Sequence, residues 1–235
     1  MNTNDPLMGK RKALYEIYML NTKFINMVNN VYIIIDSQTR HTAVVDPAWN
    51  IGLIKDTLNK LQAEVKVILL THSHYDHTNL VNSMLKIYPA KVYMSKTEVD
   101  YYNYKCNSLV PVQDGEVIKL GYTDIKCILT PGHTMGGMCF FVDGSLFTGD
   151  TIFMEGCGIC SNLGGDAGDM FHSINRIKAE VSHDTKMYSG HTIDRQPGCT
   201  LGDLIKNNIY FSIDKKELFV QFRQRENQKR TYNFR

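Results

Sequence analysis

The sequence predicts an α+β or layered α/β fold, and three observations carry that reading. Short apolar runs of β character crowd the first half, and strands and helices mix after them. With 235 residues and 43% hydrophobic content the chain has ample material for a core. It shows no internal repeat and no low-complexity linker, so residues 1–235 read as one domain with a basic C-terminal helix and tail.

Taken in order, Tyr15–Leu20, Val31–Asp36, Ala43–Val45 and Val67–Leu70 are the early strands. A helix fits Ile51–Leu61, because Ile51, Ile54, Leu58 and Leu61 share one face after the turn signal Asp46-Pro47. A second helix starts near His77, carries Leu80, Met84 and Leu85, and ends at Pro89. Later strands are expected at Lys91–Met94, Asp124–Thr130, Met138–Val142, Ser145–Thr148 and Lys186–Ser189. Helices are expected at Ala167–Glu180 and Asp214–Glu226.

Composition narrows the partners. A net charge of +2 gives no global pull toward nucleic acid. The longest apolar runs, Val31–Ile35 and Val67–Leu70, are too short to span a bilayer. The start, MNTNDPLMGKRK, has no apolar signal-peptide region, so a cytoplasmic protein with six reduced cysteines is expected.

The chemistry sits at strand ends. Val67–Leu70 runs into His72, His74, Asp76 and His77; Asp124–Thr130 runs into Gly132-His133; Ser145–Thr148 into Gly149-Asp150; Lys186–Ser189 into Gly190-His191. Loops at strand ends on one sheet edge are where such folds collect their sites. Imidazole and carboxylate at this density suit a borderline-soft metal ion. A polar loop of solvated histidines is the alternative. In extended chain, positions i and i+2 face the same way, so His72 and His74 can share one ion. Asp76 and His77 are adjacent and can serve a second. Two ions about 3.5–4 Å apart need a shared ligand, which a carboxylate can supply.

These residues resemble the metallo-β-lactamase superfamily. HSHYDH matches its H-x-H-x-D-H signature, and PGHT, FTGD and SGHT match its later ligand motifs in order, across nearly the whole chain from Tyr15. The resemblance implies a four-layered αββα sandwich with a dinuclear site on one edge. By position it implies His72, His74 and His133 on one ion, Asp76, His77 and His191 on the other, and Asp150 bridging. His41, His172 and His183 match no motif and read as surface or structural.

Within the superfamily, an aspartate bridge at 150 resembles the glyoxalase II-like branch of thioester hydrolases, whereas the true β-lactamases carry cysteine there. Gly156-Cys157-Gly158 and Gly164-Gly165-Asp166 resemble that branch's cleft loops. Glutathione-using members place Lys or Arg after Gly-Cys-Gly, Tyr two positions on, and Tyr two after the last histidine. This chain has Ile159, Ser161 and Ile193. A glutathione carboxylate would lose a charge-assisted bond worth roughly 1.5–3 kcal/mol. A fainter similarity, including the basic end FRQRENQKRTYNFR, is to zinc-dependent hydrolases of trans-acyltransferase polyketide biosynthesis, which implies acyl thioesters on an acyl carrier protein as substrates. Arg223, Arg225, Lys229, Arg230 and Arg235 are then a dock for a phosphopantetheine phosphate or an acidic carrier, or else a solvated helix face.

The expected chemistry is attack of a metal-bound hydroxide on the thioester carbonyl, with one ion polarising the carbonyl oxygen. Asp76 and Asp150 are the carboxylates that hold the ions and orient the nucleophile. Two divalent ions are expected, zinc first, with iron and manganese as alternatives. The rival functions are hydroxyacylglutathione hydrolase, persulfide dioxygenase with one iron, lactonase, and a non-catalytic carrier-protein binder. Cys157 and Cys160 form a C-x-x-C without a second pair, and packing in the cleft loop is the expectation for Cys157.

Overall fold

The computed structural model describes residues 14–225. The first half builds a six-stranded sheet in chain order: β1 (Tyr15–Phe24), β2 (Met27–Asp36), β3 (His41–Val45), β4 (Glu64–Leu69), β5 (Lys91–Ser95) and β6 (Leu109–Val112). β1 to β3 pair antiparallel and β3 to β6 parallel. Parallel neighbours need crossovers. Here α1 (Ile51–Lys60) links β3 to β4, α2 (Tyr75–Thr78) and α3 (Val81–Leu85) link β4 to β5, and α4 (Lys96–Tyr102) links β5 to β6.

The second half builds a five-stranded sheet of β7 (Val117–Leu120), β8 (Thr123–Leu129), β9 (Met138–Val142), β10 (Ser145–Gly149) and β11 (Lys186–Ser189). β7 to β10 are antiparallel, and β11 joins β10 in parallel after the crossover α5 (Ala167–Glu180). α6 (Leu201–Asn207), a 3-10 turn at Ile209–Ser212 and α7 (Lys216–Arg223) follow.

Strand β2 explains the layering. Val31, Ile33 and Ile35 pack with Ile54, Leu58 and Met84 of the helices on one side. Tyr32 and Ile34 point the other way, into a core with Phe140 and Phe147 of the second sheet. Side chains alternate across a strand, so an unbroken apolar run means both faces are covered. On the outer face of the second sheet, Met170, Ile174 and Ile177 of α5 pack with Leu146, Met187 and Phe219. The order helices, sheet, sheet, helices is the αββα sandwich. Among the described residues no helix is long and apolar enough to cross a membrane.

Some elements differ from the sequence reading. β1 and β2 are ten residues each and meet in a tight hairpin at Ile25, which adopts φ 54°. The helix expected from His77 to Pro89 is two short ones, because Asn79 breaks it. Its side-chain NH2 donates to the Tyr75 carbonyl at 2.8 Å and its Oδ1 accepts the Trp49 N–H at 2.9 Å, while Leu80 N–H donates to the Pro47 carbonyl at 3.3 Å. β6, β7, α4 and α6 have no counterpart in the sequence reading. The C-terminal helix is Lys216–Arg223, shorter than Asp214–Glu226, and Glu226 lies outside the described residues.

Candidate metal centre

Four loops meet at one edge of the sandwich. After β4 the chain delivers His72 and His74, with His74 at the extended N-cap of α2 (φ −59°, ψ 144°). α2 then carries Asp76 and His77. His133 follows β8, Asp150 follows β10, and His191 follows β11. Three groups have donor atoms within 4.8 Å of one another: His72, His74 and His133; Asp76, His77 and His191; and His72, His77 and Asp150. The first two are the sets that the resemblance implies, and the third joins them. Asp150 Oδ1 lies 3.5 Å from His77 Nε2, and its Oδ2 lies 3.6 Å from His133 Nε2 and 3.4 Å from His191 Nε2. One carboxylate therefore touches both sets.

The ring orientations fit a cation. His77 Nδ1 is 2.9 Å from Asp46 Oδ2, His133 Nδ1 is 2.6 Å from the Ile159 carbonyl, His191 Nδ1 is 2.7 Å from the Val28 carbonyl, and His72 Nδ1 is 3.0 Å from Thr71 Oγ1. In each ring the outer nitrogen is engaged and Nε2 is left for the cluster, the arrangement that fixes a ligand's tautomer. His74 is reversed: its Nδ1 lies 3.0 Å from His133 Nε2. Buried without a hydrogen-bond partner are His72 Nε2, His77 Nε2 and Asp150 Oδ1. Each such orphan costs roughly 1–3 kcal/mol. A divalent cation is the partner that satisfies converging imidazole and carboxylate lone pairs together.

The charges are arranged around it. Burial pushes His72 down, and His133 down to about 4, so both stand as neutral imidazoles. Burial also raises the carboxyls of Asp76 and Asp150. The neighbouring His77 and His191 outweigh that and hold both well below the carboxylate range. Conversely, burial lowers His77 and His191, but Asp150 and Asp76 pull them up, His191 to about 10. An entering cation displaces protons from those two rings.

Three supporting residues escaped the sequence reading. Asp46 is buried, and besides His77 it accepts Thr71 N–H at 2.9 Å and Thr71 Oγ1 at 2.6 Å. Glu98, fully buried on α4, accepts Ser73 N–H and hydroxyl at 2.8 Å each and Gly136 N–H at 2.9 Å, pinning the first ligand loop to the one after His133. Asn29 donates to Asp76 Oδ2 at 2.9 Å and to the Asp76 carbonyl at 3.0 Å, and receives Trp49 Nε1 at 2.7 Å. The one signal in the chain was Asn29-Asn30 interrupting an apolar strand. Gly190 marks a close approach: a Cβ there would meet Asp150 Oδ1 at 2.5 Å and His77 Cε1 at 2.7 Å.

The expected substrate residues are more scattered. Ile159 is half-buried and lends its carbonyl to His133; Ser161 is exposed; Ile193 is buried. Arg223 corrects the reading of the basic end. It is neither solvated nor presented for docking. It is 8% exposed, its Nε donates to the Gly158 carbonyl at 2.8 Å, and its guanidinium lies 5.8 Å from the Tyr210 ring centre. α7 folds back under the cleft loop, so packing captures the charge. Arg225 is exposed and stacks 3.7 Å from the centre of Phe222. Lys229, Arg230 and Arg235 lie outside the described residues. Cys157 and Cys160 are free and buried, and burial pushes both thiols up, Cys160 to about 11. His41 and His172 lie by Glu64 and Lys216, and neither they nor His183 join the cluster. Arg223→Met should lower stability by about 1–3 kcal/mol by leaving the Gly158 carbonyl only the weak Cys160 thiol donor at 3.3 Å. Thermal unfolding checks this, and an unchanged Tm would remove the clasp from the account.

The family model of the metallo-beta-lactamase superfamily matches residues 26–181. The probable polyketide biosynthesis zinc-dependent hydrolase PksB of Bacillus subtilis (strain 168) is 49% identical over 221 residues, 94% of this chain and 98% of the relative. The probable hydroxyacylglutathione hydrolase glo2 of Schizosaccharomyces pombe is 34% identical over 171 residues, 69% of this chain and 63% of the relative. Among solved structures, ETHE1 from Myxococcus xanthus superposes with TM-score 0.79 at 21% identity, covering 90% of this chain and 91% of that one, a likeness of fold. Sequence model, near full-length relatives and sandwich agree, and the chain belongs to the metallo-beta-lactamase superfamily.

Proposed function

We propose that this chain is a zinc-dependent hydrolase that cleaves acyl thioesters carried on phosphopantetheine or an acyl carrier protein in polyketide biosynthesis. The observation that carries the reading is Asp150 lying between two histidine-rich sets, with its own Oδ1, His72 Nε2 and His77 Nε2 buried and without a hydrogen-bond partner. His72, His74 and His133 would hold one ion, Asp76, His77 and His191 a second, and Asp150 both. When bound, two divalent ions supply an activated water and the charge that polarises a carbonyl. The protein's part is positional. Asp46 and the Ile159 and Val28 carbonyls fix the rings of His77, His133 and His191, and Asn29 fixes Asp76. Asp76 and Asp150 stay anionic and orient the nucleophile.

The similarity to PksB supports the zinc hydrolase class and the polyketide setting. The choice of thiol rests on Ile159, Ser161 and Ile193, which leave a glutathione carboxylate without a cation and two phenols. For one acyl group compared on glutathione, CoA, pantetheine and carrier protein, kcat/KM should be higher on pantetheine or carrier protein than on glutathione. A clear win for glutathione would favour the second reading, hydroxyacylglutathione hydrolase, for which the likeness to glo2 speaks. Elemental analysis of protein purified without chelator should find close to two zinc ions per chain. A lone iron with oxygen uptake on a persulfide would move the assignment to a dioxygenase.

A further inference from the structure

Beside the candidate metal centre, the β1–β2 hairpin tip and the segment before α1 enclose an open groove of about 730 Å³, a volume typical of ligand sites. Its walls include Phe24, Ile25, Met27, Trp49, Tyr75 and Leu80. Phe24 stacks on Trp49 at 4.9 Å, and Tyr75 meets Trp49 edge-on at 6.0 Å. Phe24, Ile25 and Tyr75 are 55%, 73% and 74% exposed, so three large side chains on one rim face water. Ile25 and Trp49 also hold positive φ, 54° and 63°, which bulky residues rarely adopt. A contiguous exposed apolar patch marks a binding surface.

Two links make the groove continuous with the centre. Tyr75 stands between His74 and Asp76 in the chain. Trp49 Nε1 donates to Asn29 Oδ1, and Asn29 in turn donates to Asp76 Oδ2. A molecule lying in the groove therefore lies against Tyr75 and Trp49, the neighbours of the candidate ligands His74 and Asp76. No lining side chain is charged. That disfavours a phosphate-bearing or carboxylate-bearing arm and complements a neutral hydrocarbon.

We propose that this groove is the acyl-chain subsite, selecting thioesters of medium or long acyl groups, with Trp49 as its wall. The proposal rests on the hydrolase reading and can be tested apart from it, because Trp49 is the chain's single tryptophan and reports occupancy without turnover. The full-length metal-loaded protein is titrated with non-hydrolysable S-alkyl thioethers of N-acetylcysteamine from C2 to C10, following Trp49 emission. Affinity should rise about twofold per methylene, against the roughly fourfold of complete burial. In Ile25→Asp the C10 to C2 affinity ratio should fall at least tenfold, while Ile25→Leu keeps it. Aspartate tolerates the positive φ at this exposed turn, so the variant should fold. In parallel, kcat/KM is measured on the matching acyl thioesters. Chain-length-dependent binding with no hydrolysis supports the groove and sinks the hydrolase reading. Hydrolysis with flat chain-length dependence and silent Trp49 emission overturns the groove. So does emission that follows protein concentration instead of probe, since a second copy would then cover the patch.

Discussion

Asp150→Ala is expected to lower kcat on the order of 10²-fold or more and to leave the protein with fewer than two ions. Asp150 reaches both proposed ligand sets, lying 3.5 Å from His77, 3.6 Å from His133 and 3.4 Å from His191. Removing it leaves converging imidazoles with less shared negative charge. It also removes the anion that pulls His77 and His191 up, while Asp76 remains beside both. The fold should survive, because alanine adds no bulk beneath Gly190 and Gly158. Metal content by elemental analysis and turnover on the preferred thioester are the readouts. Both ions retained with near-normal turnover would refute the ligand assignment.

Asp46→Asn should weaken metal binding about 10–100-fold without contacting an ion, the usual effect of altering a ligand's outer hydrogen bond. The backbone stays in place, since Asp46 sits at φ 49° and asparagine tolerates that region. The amide keeps one oxygen as acceptor, but its NH2 must replace either Oδ1, facing the Thr71 N–H, or Oδ2, facing His77 Nδ1 and the Thr71 hydroxyl. Facing His77 Nδ1, a donor favours the tautomer with hydrogen on Nε2, which is the atom aimed at the cluster. Competition with a chelator measures the loss, and unchanged far-UV circular dichroism separates it from unfolding. Wild-type retention would show that the carboxylate has no part in holding the centre.

What the sequence disclosed follows from how far each signal reaches along the chain. The proposed ligands were legible because three of the four loops set histidine or aspartate beside glycine at a strand end, and the first packs three histidines and an aspartate into six positions after an apolar run. Asp46, Glu98 and Asn29 were not, because their meaning lies in partners 25 to 47 positions away. Asp46-Pro47 spells a turn, and Glu98 looks like an ordinary charge near a helix start. β6 and β7 are four residues each, and Pro111 in β6 interrupts the pattern. Arg223 was misjudged because composition records a basic run and cannot record that α7 turns its last residues beneath the Gly158 loop.

The seven proposed ligands stretch from His72 to His191 and stand on the connections that follow strands of both sheets. No short stretch of the unfolded chain contains a complete set, and the two sheets must dock before Asp150 can approach His77. Ions can therefore do little to speed refolding, since the cage they occupy closes only near the end of the reaction. Their effect falls on the reverse step: escape from the native basin must first open that cage. In kinetic terms, metal should lower the unfolding limb of a denaturant chevron and leave the refolding limb almost where it was.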